Sequence, residues 1–98
     1  MTRDDVLATL RVCESALKQR GVAHAALFGS LARNEAAPAS DIDIMIELDP
    51  EARIGLFSYS GLVQFIQDQF PGRVDVANRT QLRPEIRGPA ERDAVYAF

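Results

Sequence analysis

Apolar residues recur at helical spacing near the amino terminus. Four of them follow one another at intervals of four, three and four residues: Val6, Leu10, Cys13 and Leu17. This stripe predicts an amphipathic helix over residues 4–20, ended by Gly21. Thr2 is its predicted N-cap, with Asp5 in the capping-box position. Because Cys13 lies on the apolar stripe, it is interpreted as a small core residue rather than a reactive thiol.

Strict alternation over residues 41–48 predicts the clearest strand of the chain. One face carries the apolar residues Ile42, Ile44, Ile46 and Leu48, and the other carries Asp41, Asp43, Met45 and Glu47. The apolar face must meet a core covered by helices, so the acidic face is expected on an open side of the sheet. The alternative is an edge strand whose charges prevent pairing with other chains.

Two further strands complete the predicted sheet. Residues 22–28 lie between Gly21 and Gly29, which mark the ends of a strand. Residues 73–77 alternate, with Val74 and Val76 on one face and Asp75 on the other. The prediction is an α+β fold, with a small mixed three-stranded sheet and helices packed on one side.

Three more helices are predicted around this sheet. A short one spans residues 30–35, with Ser30 at its cap. A longer one ends near residue 70 and begins somewhere between residues 54 and 60. The last spans residues 81–95, where Gly88-Pro89 predicts a kink or a division into two pieces. The apolar residues 94–98 are expected either to fold back on the core or to form a contact surface.

Composition narrows the class of protein. A chain of 98 residues predicts a single domain over residues 1–98. No apolar run approaches the ~20 residues that span a bilayer, and the polar amino terminus is unlike a secretion signal. The lone cysteine suits a reducing cytoplasm. A net charge of −3 argues against general nucleic-acid binding, which usually needs a basic face.

The candidate chemistry lies in Gly29-Ser30, followed after ten residues by Asp41-Ile42-Asp43. Glycine lets the backbone approach a phosphate closely, and N–H groups at a helix start attract anions. Residues two apart on a strand share a face, so Asp41 and Asp43 form an acidic pair. Asp75 is expected to join this pair. Such carboxylates beside a phosphate cradle favour Mg²⁺-dependent nucleotidyl transfer.

Other assignments for the polar residues stay open or are disfavoured. Arg33 could reach phosphate oxygens, or could instead be solvated or paired with Glu35. Asp75 could instead pair with Arg73 or Arg79. His24, the only histidine, has no partner at zinc-ligand spacing. A serine hydrolase is disfavoured because the chain lacks the Gly-x-Ser-x-Gly nucleophile elbow.

These motifs resemble those of a known family. Gly29-Ser30, ten residues and Asp-x-Asp are similar to the signature of the DNA polymerase β nucleotidyltransferase superfamily. The wider stretch "LFGSLARNEAAPASDIDIMIELDPEARIGLF", followed by "RVDVANRTQLRPEIRGPAERDAVYAF", resembles the minimal nucleotidyltransferases of the MntA antitoxin type. The chain departs from the family pattern at Asn34, where glycine is usual; asparagine also tolerates positive φ.

The resemblance implies an activity and a set of roles. Asp41, Asp43 and Asp75 would hold two Mg²⁺ ions and act catalytically. Gly29, Ser30 and Arg33 would bind the phosphates of ATP, and Ser40 would hold the loop before the acidic strand. The acceptor would be a tyrosine of a partner toxin, a ribonuclease with an HEPN domain, modified with AMP.

Three hypotheses from different classes remain. The first is an AMP transferase that modifies a partner protein, since a chain of this length leaves no room for a separate acceptor-binding domain. The second is an antitoxin that blocks its partner by contact alone. The third is a nucleotide-binding regulatory subunit of another complex. The presence of all three aspartates favours the enzyme.

Overall fold

The computed structural model describes residues 1–34 and 41–98. Its elements are α1 (Arg3–Val12), α2 (Glu14–Gln19), β1 (Val22–Phe28), α3 (Gly29–Ala32), β2 (Ile42–Leu48), α4 (Leu56–Gln67), β3 (Val74–Asn78), α5 (Pro84–Asp93) and β4 (Val95–Tyr96). A 3₁₀ turn, Arg79–Gln81, precedes α5. In these two ranges, no helix is both long and apolar enough to cross a membrane.

Over residues 1–34 and 41–98 the sheet is mixed, as predicted, but it has four strands rather than three. Their order is β3-β2-β1-β4, with β1 antiparallel to both neighbours and β2 parallel to β3. The fourth strand comes from the apolar carboxyl terminus, which folds back so that Val95 pairs with Leu27. A strand of two residues is too short for periodicity to reveal, which is why the predicted strand number was wrong.

The main core lies between one face of the sheet and helices α1, α2 and α4. Alternate residues of the strands supply its centre, including Leu27, Ile44 and Ile46, all fully buried. From α4 come Leu62 and Ile66, also buried, on the face that the four-residue spacing predicts. The apolar positions of β2 therefore face the helices, as expected.

The opposite face of the sheet is partly covered, so the prediction of helices on one side only was wrong. Ala26, Met45 and Ala90 form a second, smaller core there, and Ala90 belongs to α5. Met45 is almost fully buried, although it shares a face with the acidic residues of β2. The small side chain of Ala26 in the neighbouring strand leaves room for α5 to approach.

The predicted cap of the first helix is confirmed, whereas the predicted lengths of the helices differ from those in the structure. The capping box is present: Thr2 Oγ1 accepts from Asp5 N at 3.1 Å, and Thr2 N donates to Asp5 Oδ2 at 3.0 Å. The predicted helix over residues 4–20 is divided at Cys13. Conversely, α5 runs through Gly88 and Pro89 without dividing. Proline removes only one backbone donor there, and packing of α5 on the sheet keeps the helix whole.

Candidate active site

Two strands bring the predicted aspartates together at one end of the sheet. Asp43 of β2 and Asp75 of β3 are direct register partners in the parallel pair. Asp41 lies two residues before Asp43, immediately ahead of β2, and therefore projects toward the same face. The three carboxylates, which come from two separate segments of the sequence, thus lie on one face of two neighbouring strands.

The β1–α3 turn closes the other side of this acidic cluster. Phe28 pairs with Asp43 across the antiparallel strands, so Gly29 lies beside the Asp43 carboxylate. Gly29 adopts φ +77°, and a Cβ built there would collide with Asp43 Oδ2. The turn therefore needs glycine twice over: for its left-handed backbone conformation and for the space that Asp43 occupies.

Asp43 is the electrostatically strained member of the cluster. Burial raises the pKa of its carboxyl above the ordinary value, and the negative charges of Asp75 and Asp41 raise that pKa further. The positive charge of Arg33 acts in the opposite direction. A bound cation would offset both the cost of burying the negative charge and the repulsion between the carboxylates, because it stabilises their ionised form.

The other two aspartates, Asp41 and Asp75, are both accessible to solvent. The side chain of Asp41 is 40% exposed, and its Oδ2 lies 3.9 Å from Arg73 Nε, a distant and screened contact. Asp75 is exposed. Among the described residues, Asp75 forms no ion pair with Arg73 or Arg79, the alternative that the sequence left open. Arg73 lies nearest Asp41, and Arg79 bonds Glu47 and Glu91.

The predictions for the residues that follow the β1–α3 turn have different outcomes. Ser30 is half-buried in the first turn of α3, but the N-cap of that helix is Phe28, so the predicted capping role was wrong. Asn34 adopts φ +62°, the left-handed conformation that glycine would otherwise supply. Ser40, and Glu35 as a partner for Arg33, lie outside the described residues.

Arg33 has a partner that the sequence did not indicate. Its Nη1 donates to Asp93 Oδ2 at 2.5 Å, joining the end of α3 to the end of α5. The two residues are 60 positions apart, and the sequence analysis gave Asp93 no role of its own. No pattern in the sequence could have found this contact, because it depends on how α5 packs across the sheet.

The donor set fits a hard divalent cation. Magnesium prefers carboxylate oxygens and is usually held by one or two carboxylates together with substrate phosphates and water. In the described ranges, no three His, Cys, Asp or Glu side chains stand together as a ready-made metal site. Paired carboxylates beside a phosphate-accessible glycine turn nevertheless match a Mg²⁺ site that is completed by the nucleotide.

A mixed sheet that carries this acidic pair beside a glycine turn has the architecture of the polymerase β-like nucleotidyltransferases. Residues 10–97 match the model of the nucleotidyltransferase domain family, and the chain belongs to that family. Within it, the chain is a nucleotidyltransferase of the minimal type.

Curated relatives match this chain over almost its whole length. A candidate protein adenylyltransferase of Methanocaldococcus jannaschii is 31% identical over 97 residues, which cover 97% of each chain. The protein adenylyltransferase MntA of Thermococcus cleftensis is 28% identical over 97 residues, covering 98% of this chain and 96% of its own. Both names specify the same general kind of transferase.

Solved structures agree with the fold. A candidate minimal nucleotidyltransferase superposes with a TM-score of 0.78 at 25% identity, covering 97% of this chain and 95% of the other. A toxin–antitoxin crystal structure with AMP-PNP superposes with a TM-score of 0.70 at 15% identity, covering 92% and 72% respectively. At that identity the second similarity concerns the fold alone.

Proposed function

We propose that this protein transfers AMP from ATP to a hydroxyl group of a partner protein, in a Mg²⁺-dependent reaction. The observation that carries the proposal is the parallel register of Asp43 with Asp75, beside a turn whose glycine is in contact with Asp43. This arrangement supports the binding of a metal-complexed triphosphate at the end of the sheet.

Each residue of the site has a role in this proposal. Asp41, Asp43 and Asp75 would hold two Mg²⁺ ions, and Gly29 and Ser30 would bind the β- and γ-phosphates through backbone and hydroxyl groups. Arg33 would contact phosphate oxygens, and Ser40 would hold the loop. When bound, Mg²⁺ offsets the phosphate charge and lowers the pKa of the attacking hydroxyl.

The reaction is an in-line displacement at the α-phosphorus. The acceptor oxygen forms a bond to that phosphorus while the bond to pyrophosphate breaks. Asp75, the most accessible of the three carboxylates, would help take the proton that the acceptor hydroxyl loses. Asp43, half-buried between the turn and β3, would mainly supply a negative charge at a fixed position. Catalysis then rests on orientation and preorganised electrostatics.

The partner in this proposal is a toxin, which would make the protein the antitoxin of a pair. Two observations support this assignment: one relative carries the name MntA, the antitoxin type that the motifs of this chain resemble, and a toxin–antitoxin structure with AMP-PNP contains the same fold. We further propose an HEPN-type toxin with tyrosine as the acceptor, a single minimal nucleotidyltransferase domain over residues 1–98, and the cytoplasm, where ATP is abundant, as the location.

The test is incubation of the purified chain with Mg²⁺ and α-labelled ATP, in the presence of the candidate toxin. Wild type should label the toxin. The Asp41→Asn/Asp43→Asn variant should not, because neutral amides are poor ligands for Mg²⁺. The control Asp4→Asn/Asp68→Asn removes the same charge from two exposed positions, one in α1 and one directly after α4, and should label normally.

Two results would count against the proposal. Equal labelling by wild type and the Asp41→Asn/Asp43→Asn variant would exclude the acidic cluster as the site of transfer. Absence of labelling by wild type, together with tight binding and inhibition of the toxin, would replace enzymatic modification with neutralisation by contact.

A further inference from the structure

Arg33 is held in place from the far end of the chain. Its Nη1 donates to Asp93 Oδ2 at 2.5 Å, and the two side chains are 42% and 27% exposed. Arginine carries considerable rotamer entropy when its side chain is unrestrained. The contact therefore restricts a long side chain at the edge of the acidic cluster.

The position of Asp93 is fixed by structure on both sides of it. Asp93 is the last residue of α5, which packs on the sheet through Ala90. Two residues later, Val95 pairs with Leu27 of β1, only two residues before Gly29. Sheet hydrogen bonds and packing thus set the distance between Asp93 and the β1–α3 turn, rather than the ion pair itself.

Arg33 also lies beside the proposed reaction site. It follows α3 directly, one helical turn after Gly29, and its backbone N donates to Gly29 O at 3.2 Å, so it stands at the turn that adjoins Asp43. A guanidinium has five N–H donors in a planar fork, so one group can bond a carboxylate and a phosphate at the same time.

We infer that Asp93 is a positioning residue, which orients Arg33 for contact with the phosphates of the bound nucleotide. This inference rests on the proposed function and adds to it a residue from the carboxyl-terminal helix. A guanidinium that is oriented before binding loses less conformational entropy when the phosphate arrives. Asp93 itself does not touch the nucleotide in this account.

The experiment is calorimetric titration of the full chain with Mg-ATP and, separately, with adenosine. Asp93→Asn should weaken Mg-ATP binding by roughly three- to fivefold, the range for a half-exposed ion pair, and leave adenosine binding unchanged. In an Arg33→Ala background, Asp93→Asn should have no additional effect, because the residue acts through Arg33.

A matched control lies on the same helix. Glu91 of α5 is paired with Arg79 at 2.9 Å, so Glu91→Gln also breaks an ion pair of α5 but not the one to Arg33. It should bind Mg-ATP as wild type does. Asp93→Glu, which keeps the charge, should restore affinity, and it provides a second test should the asparagine variant fold poorly.

Several outcomes would overturn the inference. These are unchanged or tighter Mg-ATP binding by Asp93→Asn, an equal loss of adenosine binding, or an equal further loss in the Arg33→Ala background. The last two would indicate a general effect on the fold. If wild type itself did not bind Mg-ATP, the proposed function would fail; if wild type bound and Asp93→Asn bound equally, only the role of Asp93 would fail.

Discussion

Replacing Gly29 with alanine tests how closely the β1–α3 turn and Asp43 depend on each other. Gly29 adopts φ +77°, and the added Cβ would collide with Asp43 Oδ2 and lie 3.2 Å from its Cγ. The carboxylate is the far end of a side chain, so it can rotate away. In doing so it would leave the position it holds between the turn and Asp75.

The expected magnitudes follow from these two effects. A left-handed conformation costs a non-glycine residue about 1–2 kcal/mol. With an unfolding entropy of about 2.1 cal/mol/K per residue, that cost lowers the unfolding midpoint by roughly 5–10 °C. Displacing the Asp43 carboxylate by about 1 Å should reduce the transfer rate by about 100-fold. The loss of activity therefore exceeds what the loss of stability explains.

The assay pairs thermal unfolding with AMP transfer, both measured well below the unfolding midpoint of the variant. Gly61→Ala is the control: Gly61 lies in α4 with nothing within 4 Å of an added Cβ. This substitution should stabilise the chain by about 0.5–1 kcal/mol and leave transfer unchanged. If Gly29→Ala kept wild-type transfer and stability, neither would depend on the close packing of the turn against Asp43.

Three further predictions concern single side chains. Asp43→Asn should raise the unfolding midpoint at neutral pH while abolishing transfer. Because the pKa of the Asp43 carboxyl is raised in the folded state, the folded protein loses stability as the pH rises through that pKa, and the neutral amide avoids this loss. A lowered midpoint would contradict this sign. Leu62→Ala, at a fully buried position, should cost about 2–5 kcal/mol in urea unfolding. The matched Leu56→Ala, at a position 78% exposed, should change stability by less than about 0.5 kcal/mol, and equal losses would refute the assigned core. Thr2→Ala should cost about 1 kcal/mol through the lost cap, measured by thermal circular dichroism, and an unchanged midpoint would mean that the capping box adds nothing.

The parts of the site that the sequence predicted are those governed by short-range rules. Alternation along a strand depends only on neighbouring residues, so the shared face of Asp41 and Asp43 follows from their spacing. The same rule put Asp75 on the face opposite Val74. The capping role assigned to Ser30 was wrong because it depended on where α3 begins, and helix boundaries shift by a residue or two with context.

The features that the sequence did not predict depend on long-range packing. The fourth strand is two residues long, and it forms because the carboxyl-terminal segment pairs with the edge of β1 that β2 leaves open. Met45 is buried because α5 crosses the face that alternation alone would leave open. The continuity of α5 through Pro89 has the same origin, since packing on the sheet outweighs one missing hydrogen bond.

By itself, the sequence determined the kind of fold and which acidic residues form the candidate site, because spacing, turn residues and alternation act over a few positions. Only the tertiary structure decided that Asp43 and Asp75 are register partners and that Asp93 holds Arg33. Both contacts join segments far apart in the chain. Their geometry is set by how strands and helices pack, which no local pattern records.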